Sequence, residues 1–193
     1  VIMFDDDAFF LMSVDEIKEL SKRYKEQIGL PLWITGATPT TLTKEKLSLL
    51  VDAGLVEIRM GIQSAAEKAK KLYKRQHSNH RVANAARMIN EHRNQLKATY
   101  DIILDSPWDT DEDLIENLMF LSKLPTPFKL LIYSLTFYPE TDLYKRAEKE
   151  GLIKDDVKEY RKEFYYVKKS YLNRLFFLLN DYTSVGIGIS PII

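Results

Sequence analysis

The sequence contains no cysteine. Disulfide bonds are therefore excluded, as is any zinc or iron–sulfur site that thiolates of this chain would hold. No apolar run approaches the ~20 residues that a membrane-spanning helix needs. Residues 1–7 contain neither a basic residue nor a small-residue cleavage site, so they do not resemble a signal peptide. From these absences we expect a cytoplasmic protein with no membrane partner.

The chain also lacks a net charge, because 28 basic side chains balance 28 acidic ones. This balance gives no electrostatic reason to expect nucleic acid as a partner. No Gly-x-Gly-x-x-Gly sequence, phosphate-binding loop or Gly-x-Ser-x-Gly elbow occurs. The missing glycine motif disfavours a Rossmann nucleotide-binding sheet.

Short apolar runs alternate with longer amphipathic stretches along most of the chain. Such alternation predicts an α/β fold with a parallel sheet and right-handed crossovers. An eight-unit barrel takes about 250 residues. The roughly five β/α units found here are too few to close one, so we predict an open or partial barrel. The predicted strands cover residues 1–4, 32–35, 56–62, 100–104 and 130–136.

The character of the sequence changes near residue 155. We therefore divide the chain into a partial barrel over residues 1–154 and a helical extension over residues 155–193. The extension is rich in aromatic residues: Tyr160, Phe164, Tyr165, Tyr166, Tyr171, Phe176, Phe177 and Tyr182. We expect it to pack on the rim or bottom of the barrel, and a lid over a substrate or partner is the alternative. Because the chain opens within an apolar run without an initiating methionine, we also expect further sequence before Val1.

Functional groups in parallel α/β folds gather where the strands end, because the loops there converge. Asp5, Asp6 and Asp7 follow the first predicted strand. Three adjacent carboxylates repel one another unless a metal ion, an ammonium group or a lysine lies nearby; a solvated loop is the alternative. Gly36 follows the second strand and could allow a ligand close to the backbone.

The third predicted strand ends with two polar residues after a glycine. Gly61 indicates close approach of another group to the backbone. Gln63 and Ser64 could bond a ribose or a carboxylate. Arg59, earlier in the same strand, is predicted either as an internal counter-charge for the acidic loop or as a surface residue.

Histidine offers little evidence for a metal site. His77 and His80 have a spacing that metal ligands can use, but no acidic or cysteine partner lies at helical distance. We therefore expect them in a surface loop.

Four short motifs, taken in order, resemble the radical SAM superfamily. The likeness is greatest to the branch with an N-terminal cobalamin-binding domain, which includes proteins similar to the anaerobic Mg-protoporphyrin IX monomethyl ester cyclase. It covers residues 1 to about 153. The motifs are Phe4-x-Asp6-Asp7-x-Phe9, Gly61-Ile62-Gln63-Ser64, Tyr100-Asp101-Ile102-Ile103 with Pro107-x-x-Thr110-x-Glu112-Asp113, and Tyr138-Pro139-x-Thr141-x-Leu143-Tyr144.

The resemblance implies a partial, TIM-like barrel of the (β/α)6 type. It also implies an enzyme that binds S-adenosylmethionine (SAM) at a four-iron cluster and cleaves it reductively, to begin radical chemistry on a small-molecule substrate. Cobalamin is a further cofactor that it allows. The Cys-x-x-x-Cys-x-x-Cys loop that holds the cluster in the family has no counterpart here. We therefore expect a fragment that is inactive alone and whose parent carries the missing loop and, in this branch, a cobalamin-binding domain.

The resemblance also implies contacts to SAM, although it identifies no catalytic residue. Asp6 and Asp7 match the positions that contact the SAM amino group. Gln63 and Ser64 would lie near its ribose or carboxylate.

Later motifs imply the remaining contacts. Pro107 would approach the adenine, and Tyr138 and Thr141 would face the substrate. The glycine that is common before this proline in the family is replaced by Asp105-Ser106.

Two other classes of function stay open from the sequence. One is a magnesium-dependent barrel lyase or phosphohydrolase that uses Asp5, Asp6 and Asp7 as metal ligands. The other is a non-catalytic binding domain that kept the fold and lost the chemistry.

Overall fold

The computed structural model describes residues 1–7, 9–75, 77–153, 155 and 163–189. Within them, a five-stranded sheet has the order β1-β2-β3-β4-β5, and each strand pairs in parallel with the next. This topology confirms the predicted α/β class and partial barrel. The strands are β1 (Ile2–Phe4), β2 (Leu32–Ala37), β3 (Leu55–Gln63), β4 (Lys97–Leu104) and β5 (Lys129–Ser134).

Helices connect consecutive strands and cover one face of the sheet. Several begin at a side-chain cap, which satisfies backbone N–H groups that have no partner within the helix. At the start of α1, the Ser13 N–H donates to the Glu16 carboxylate at 2.7 Å, and the Glu16 N–H donates to the Ser13 hydroxyl. The helices are α1 (Val14–Gln27), α2 (Lys44–Asp52), α3 (Glu67–Leu72), α4 (Asn79–Asn90), α5 (Asp111–Leu121), α6 (Asp142–Lys149) and α7 (Tyr171–Ser184).

The two faces of the sheet carry different residues. In β3, Ile58 and Met60 are buried on the helix side, whereas Arg59 between them is half-buried on the opposite side. The same alternation continues in β4, where Tyr100 is buried and Asp101 is half-buried. We call the second side the concave face. The apolar core therefore lies between sheet and helices, and polar side chains occupy the concave face.

Helix α7 belongs to the main core. Phe176 is fully buried within the same apolar cluster as β2, β3 and β4. The Leu130 N–H donates to the Asn180 side-chain oxygen at 2.7 Å, and the Phe128 N–H donates to the Thr183 carbonyl at 3.1 Å. These bonds fix α7 against β5. Tyr160 lies outside the described residues, and the division of the chain at residue 154 stays a prediction.

Asp105 connects the end of β4 to the segment before α7. Its backbone has a φ of +64°, a conformation that glycine adopts without strain and that other residues rarely adopt. The Asp105 carboxylate accepts hydrogen bonds from the Lys168 N–H at 2.9 Å and from the Asn173 amide at 2.7 Å. Here the carboxylate anchors the C-terminal segment, which a glycine could not do.

Candidate functional site

The ends of β1 to β4 surround an acidic cleft of about 330 Å³. Carboxylates enter it from β1 and β4, and guanidinium groups enter it from β3 and from the loop after α3. The sequence prediction that functional groups meet at the strand ends is therefore matched by the geometry. The cleft is lined by Asp5, Asp7, Thr35, Gly36, Ala37, Thr38, Arg59, Gly61, Gln63, Arg75 and Asp101.

The acidic loop after β1 rests on the end of β2. The Thr35 hydroxyl donates to the Asp5 carboxylate at 2.7 Å. Gly36 has a φ of +74°, and a Cβ there would lie 2.7 Å from the Asp7 Cα and nearer still to the Asp6 carbonyl oxygen. The close approach expected at Gly36 is thus made by the backbone of the acidic loop. It holds Asp5 and Asp7 at the rim of the cleft.

A three-residue polar network spans the concave face below the cleft. Arg59 Nε lies 2.7 and 2.8 Å from the two carboxylate oxygens of Asp101, and another guanidinium nitrogen donates to the Tyr133 hydroxyl at 2.8 Å. Burial raises the pKa of Asp101, and the Arg59 guanidinium opposes that rise. Because the Asp101 carboxylate neutralises the Arg59 guanidinium, Arg59 would attract a negatively charged ligand only weakly.

Gln63 lies where β3 ends and has an uncommon backbone conformation, with a φ of +62°. Its carboxamide folds back over Gly61, where a Cβ would lie 2.7 Å from the carboxamide nitrogen. The Gln63 side-chain oxygen is buried without a hydrogen-bond partner among the described residues. Such an acceptor is costly unless a ligand or water satisfies it.

A second cleft of about 530 Å³ lies between α3 and α6. We call it the α3–α6 cleft. Gln63 and Arg75 line both this cleft and the acidic cleft, so the two are contiguous. Its apolar lining includes Leu72, Ile103 and Leu143.

The structure brings some predicted residues together. Asp7 and Gln63 line the acidic cleft, and Asp6 lies in the same loop with its carbonyl oxygen accepting from the Phe9 N–H. Ser64 is buried next to Gln63, and its hydroxyl accepts from the Ala66 N–H at 3.2 Å, so it supports the turn into α3. The assignment of these residues to SAM stays a prediction.

Other predicted residues lie apart from the acidic cleft. Pro107 is exposed in the loop after β4. Thr141 lines the α3–α6 cleft and caps α6, because its hydroxyl accepts from the Tyr144 N–H at 3.2 Å. Tyr138 is exposed beside a third pocket at β5. Their assigned roles also stay predictions.

The prediction of a surface loop was wrong for His77, which is only 7% exposed. Burial lowers its pKa, and the nearby positive charges of Arg75 and Lys70 lower it further. His80 is exposed, as expected. The sequence interpretation also left Arg75, Asp101 and Tyr133 without a role, although alternation along β4 could have placed Asp101 on the concave face.

A model of the radical SAM superfamily matches residues 9–121. The chain belongs to this superfamily. The match includes β2, β3, β4 and the loops that form most of the acidic cleft. It confirms the family that the four sequence motifs indicated.

Solved structures of radical SAM enzymes share the fold. Coproporphyrinogen III oxidase (HemN) of Escherichia coli superposes with a TM-score of 0.58 at 18% identity, covering 72% of this chain and 32% of HemN. The methyltransferase TsrM of Kitasatospora setae, solved with cobalamin and a [4Fe-4S] cluster bound, gives 0.56 at 14% identity over 71% of this chain and 27% of TsrM. Methylornithine synthase (PylB) gives 0.53 at 17% identity over 91% of this chain and 48% of PylB. The chain thus spans about a third of HemN.

A search of the curated proteins gave no match. In the described part of the chain, no group of three or more histidine, aspartate or glutamate residues could hold a metal ion. With no cysteine in its 193 residues, the chain also does not fit a thiolate-ligated iron–sulfur cluster. No helix within the described ranges combines the length and apolar character that crossing a bilayer requires.

Proposed function

We propose that this chain provides the SAM-binding part of a radical SAM enzyme. SAM would extend across the acidic cleft and the α3–α6 cleft, with its methionine end in the first and its adenosine end in the second. The proposal is supported by family membership and by the match between the groups of SAM and the side chains that line the clefts. SAM, when cleaved reductively, supplies this superfamily with a 5′-deoxyadenosyl radical.

The acidic cleft offers charges of both signs for the methionine end. Asp5 and Asp7 can accept hydrogen bonds from an ammonium group and attract a sulfonium. Arg75 can pair with the carboxylate, because its guanidinium has no hydrogen-bond or ion-pair partner among the described residues. Arg59 is not available to pair with the SAM carboxylate, because its guanidinium already forms an ion pair with Asp101. The juxtaposition of Asp7 and Arg75 in one cleft is the observation on which the proposal depends most.

The α3–α6 cleft suits a nucleoside. Its aliphatic side chains Leu72, Ile103 and Leu143 can pack on an adenine ring. The unpartnered Gln63 oxygen can accept a hydrogen bond from a ribose hydroxyl at the junction of the two clefts. The ribose would then satisfy a buried acceptor that has no partner among the described residues.

The cluster that reduces SAM must be held by cysteines outside these 193 residues, so we propose that this chain alone is inactive. Reconstitution of the chain with iron and sulfide should therefore give no visible cluster absorbance. An N-terminal cobalamin-binding domain and a small-molecule substrate are parts of the same proposal.

Titration of the 193-residue chain with SAM by isothermal titration calorimetry tests the binding site. We expect saturable binding that needs no magnesium. Arg75→Met and Asp7→Asn should each weaken it about tenfold or more, because each removes a charge-assisted hydrogen bond. Arg81→Met and Asp15→Asn are matched controls on exposed parts of α4 and α1, and they should bind SAM like the parent chain.

The same titration distinguishes the alternatives. Saturable Mg²⁺ binding that Asp7→Asn abolishes, with no heat from SAM, would favour the magnesium-dependent lyase or phosphohydrolase. Binding of neither SAM nor Mg²⁺ would favour a non-catalytic domain. SAM binding that is unchanged by Arg75→Met would contradict the orientation proposed here.

A further inference from the structure

The third pocket lies on the concave face at β5 and has a volume of about 340 Å³. We call it the concave-face pocket. Aromatic rings form much of its wall: Tyr133 and Phe164 have ring centroids 5.5 Å apart, and Tyr138 is exposed at the edge. Stacking between such rings favours flat, conjugated ligands over flexible chains.

The polar groups of this pocket carry no net charge. Arg59 lines it, but Asp101 holds the Arg59 guanidinium in a two-oxygen ion pair. A charged ligand would therefore lose its hydration without gaining an opposite charge. The pocket selects for an uncharged molecule.

Tyr133 supplies a directed hydrogen-bond donor. Its hydroxyl oxygen already accepts a hydrogen bond from Arg59 at 2.8 Å, so the hydroxyl hydrogen is available to a ligand acceptor. Ser134, which is 3% exposed, also lines the pocket, and its hydroxyl has no hydrogen-bond partner within the described ranges. A ligand with a carbonyl or a similar acceptor would use these groups.

The concave-face pocket adjoins both clefts assigned to SAM. It shares Arg59 with the acidic cleft and Ile103 with the α3–α6 cleft. We infer that it binds the substrate, and that the substrate is a flat, uncharged aromatic or conjugated molecule with a carbonyl-type acceptor that Tyr133 recognises. That this ligand is the substrate depends on the proposed function, whereas its chemical class follows from the pocket alone.

A matched pair of probes tests the inference. 2-Acetylnaphthalene has the acceptor, and 2-ethylnaphthalene has nearly the same shape without it. Ligand-detected NMR on the full chain, run with and without added SAM, should show the ketone binding more tightly. Tyr133→Phe should weaken the ketone about threefold to tenfold and leave the hydrocarbon unchanged, which corresponds to one net hydrogen bond. Tyr171→Phe makes the same change at an exposed position of α7 and should affect neither probe.

A second variant keeps the test decisive if Tyr133→Phe alters the fold. Phe164→Ala removes a ring from the pocket wall but retains the carbonyl that accepts from the Ser134 N–H. It should weaken both probes by about threefold to tenfold. Phe177→Ala, at an exposed site on α7, is the control and should weaken neither.

The outcomes separate the inference from the proposed function. Equal binding of decanoate, 2-naphthoate or 2-ethylnaphthalene would overturn the uncharged-carbonyl class, as would insensitivity of all probes to both variants. Ketone binding sensitive to Tyr133→Phe, in a chain that fails to bind SAM, would support the pocket while contradicting the proposed function. SAM binding without binding of any probe would support the proposed function and contradict the inference about the pocket.

Discussion

The two faces of the sheet differ in what their side chains contact, although they alternate along the same strands. On the helix side, Ile58 and Tyr100 are fully buried among apolar neighbours. On the concave face, Arg59, Asp101 and Tyr133 contact one another and border open pockets. The helix side provides most of the folding free energy by burying apolar surface. The concave face carries polar groups and borders the pockets to which the proposed ligands are assigned.

The largest effect should come from the helix side. Phe176→Ala removes a fully buried ring of α7 and should lower the free energy of unfolding by about 3–5 kcal/mol. Phe177→Ala, at the next position, removes a ring that is 44% exposed and should lower the free energy of unfolding far less. Urea unfolding followed by circular dichroism measures both. Equal effects would show that α7 is not part of the core.

The next effect concerns the junction between β2 and the acidic loop. Gly36→Ala adds a Cβ that meets the Asp6 and Asp7 backbone, in a conformation that is already strained for alanine. We expect a loss of about 3 kcal/mol, the sum of overpacking and a positive φ. Gly186→Ala has a φ of +83° and nothing within 4 Å, so it should lose only about 1 kcal/mol. Equal losses of unfolding free energy in Gly36→Ala and Gly186→Ala would mean that the acidic loop does not pack on Gly36.

The polar network of the concave face should respond differently from the core. Arg59→Met or Asp101→Asn leaves one partner of a partly buried pair, and each should cost about 1–2 kcal/mol. The double variant Arg59→Met/Asp101→Asn should be closer to the parent chain than either single variant, because no unpaired charge remains.

An exposed ion pair is the control for this prediction. Lys44 and Glu91 form a pair that is more than half exposed, and Lys44→Met should change the unfolding free energy by less than about 1 kcal/mol. Additive losses in the double variant of Arg59 and Asp101 would show that the two side chains have no coupling energy, and would contradict the prediction.

Much of the fold could be predicted from the sequence, because alternation of apolar runs and capped helices is a local pattern. The sequence also placed Asp7 and Gln63 at the ends of two predicted parallel strands, and both line the acidic cleft. Their proposed contacts to SAM stay untested.

The network of the concave face could not be predicted in the same way. Arg59 is 42 residues from Asp101 and 74 from Tyr133, so their contact depends on the register of three strands. Register is a tertiary property, and shifting a strand by one residue would exchange its faces. Arg59 was accordingly left between two interpretations. The packing of the acidic loop on Gly36 and the burial of His77 are likewise tertiary features that no local pattern shows.

The smallest effect tests His77, which lies between α3 and α4, two residues after Arg75 of the acidic cleft. Because its pKa in the folded chain is below the ordinary value of about 6.5, folding favours the neutral imidazole. The associated stability is complete above that value and is lost as the pH falls below it, towards the folded-state pKa. We expect a small decrease in the unfolding free energy between pH 7.5 and 5.

His77→Asn should make the unfolding free energy less dependent on pH over this range, as measured by urea unfolding at several pH values. His80→Asn replaces an exposed imidazole and should leave the dependence as it is in the parent chain. On the concave face, the positive charge of Arg59 offsets the burial of the Asp101 carboxylate. His77 instead faces Arg75 and Lys70, whose charges have the same sign as its protonated ring. A pH dependence that survives His77→Asn would assign the effect to other groups and remove the reason to regard this loop as acid-sensitive.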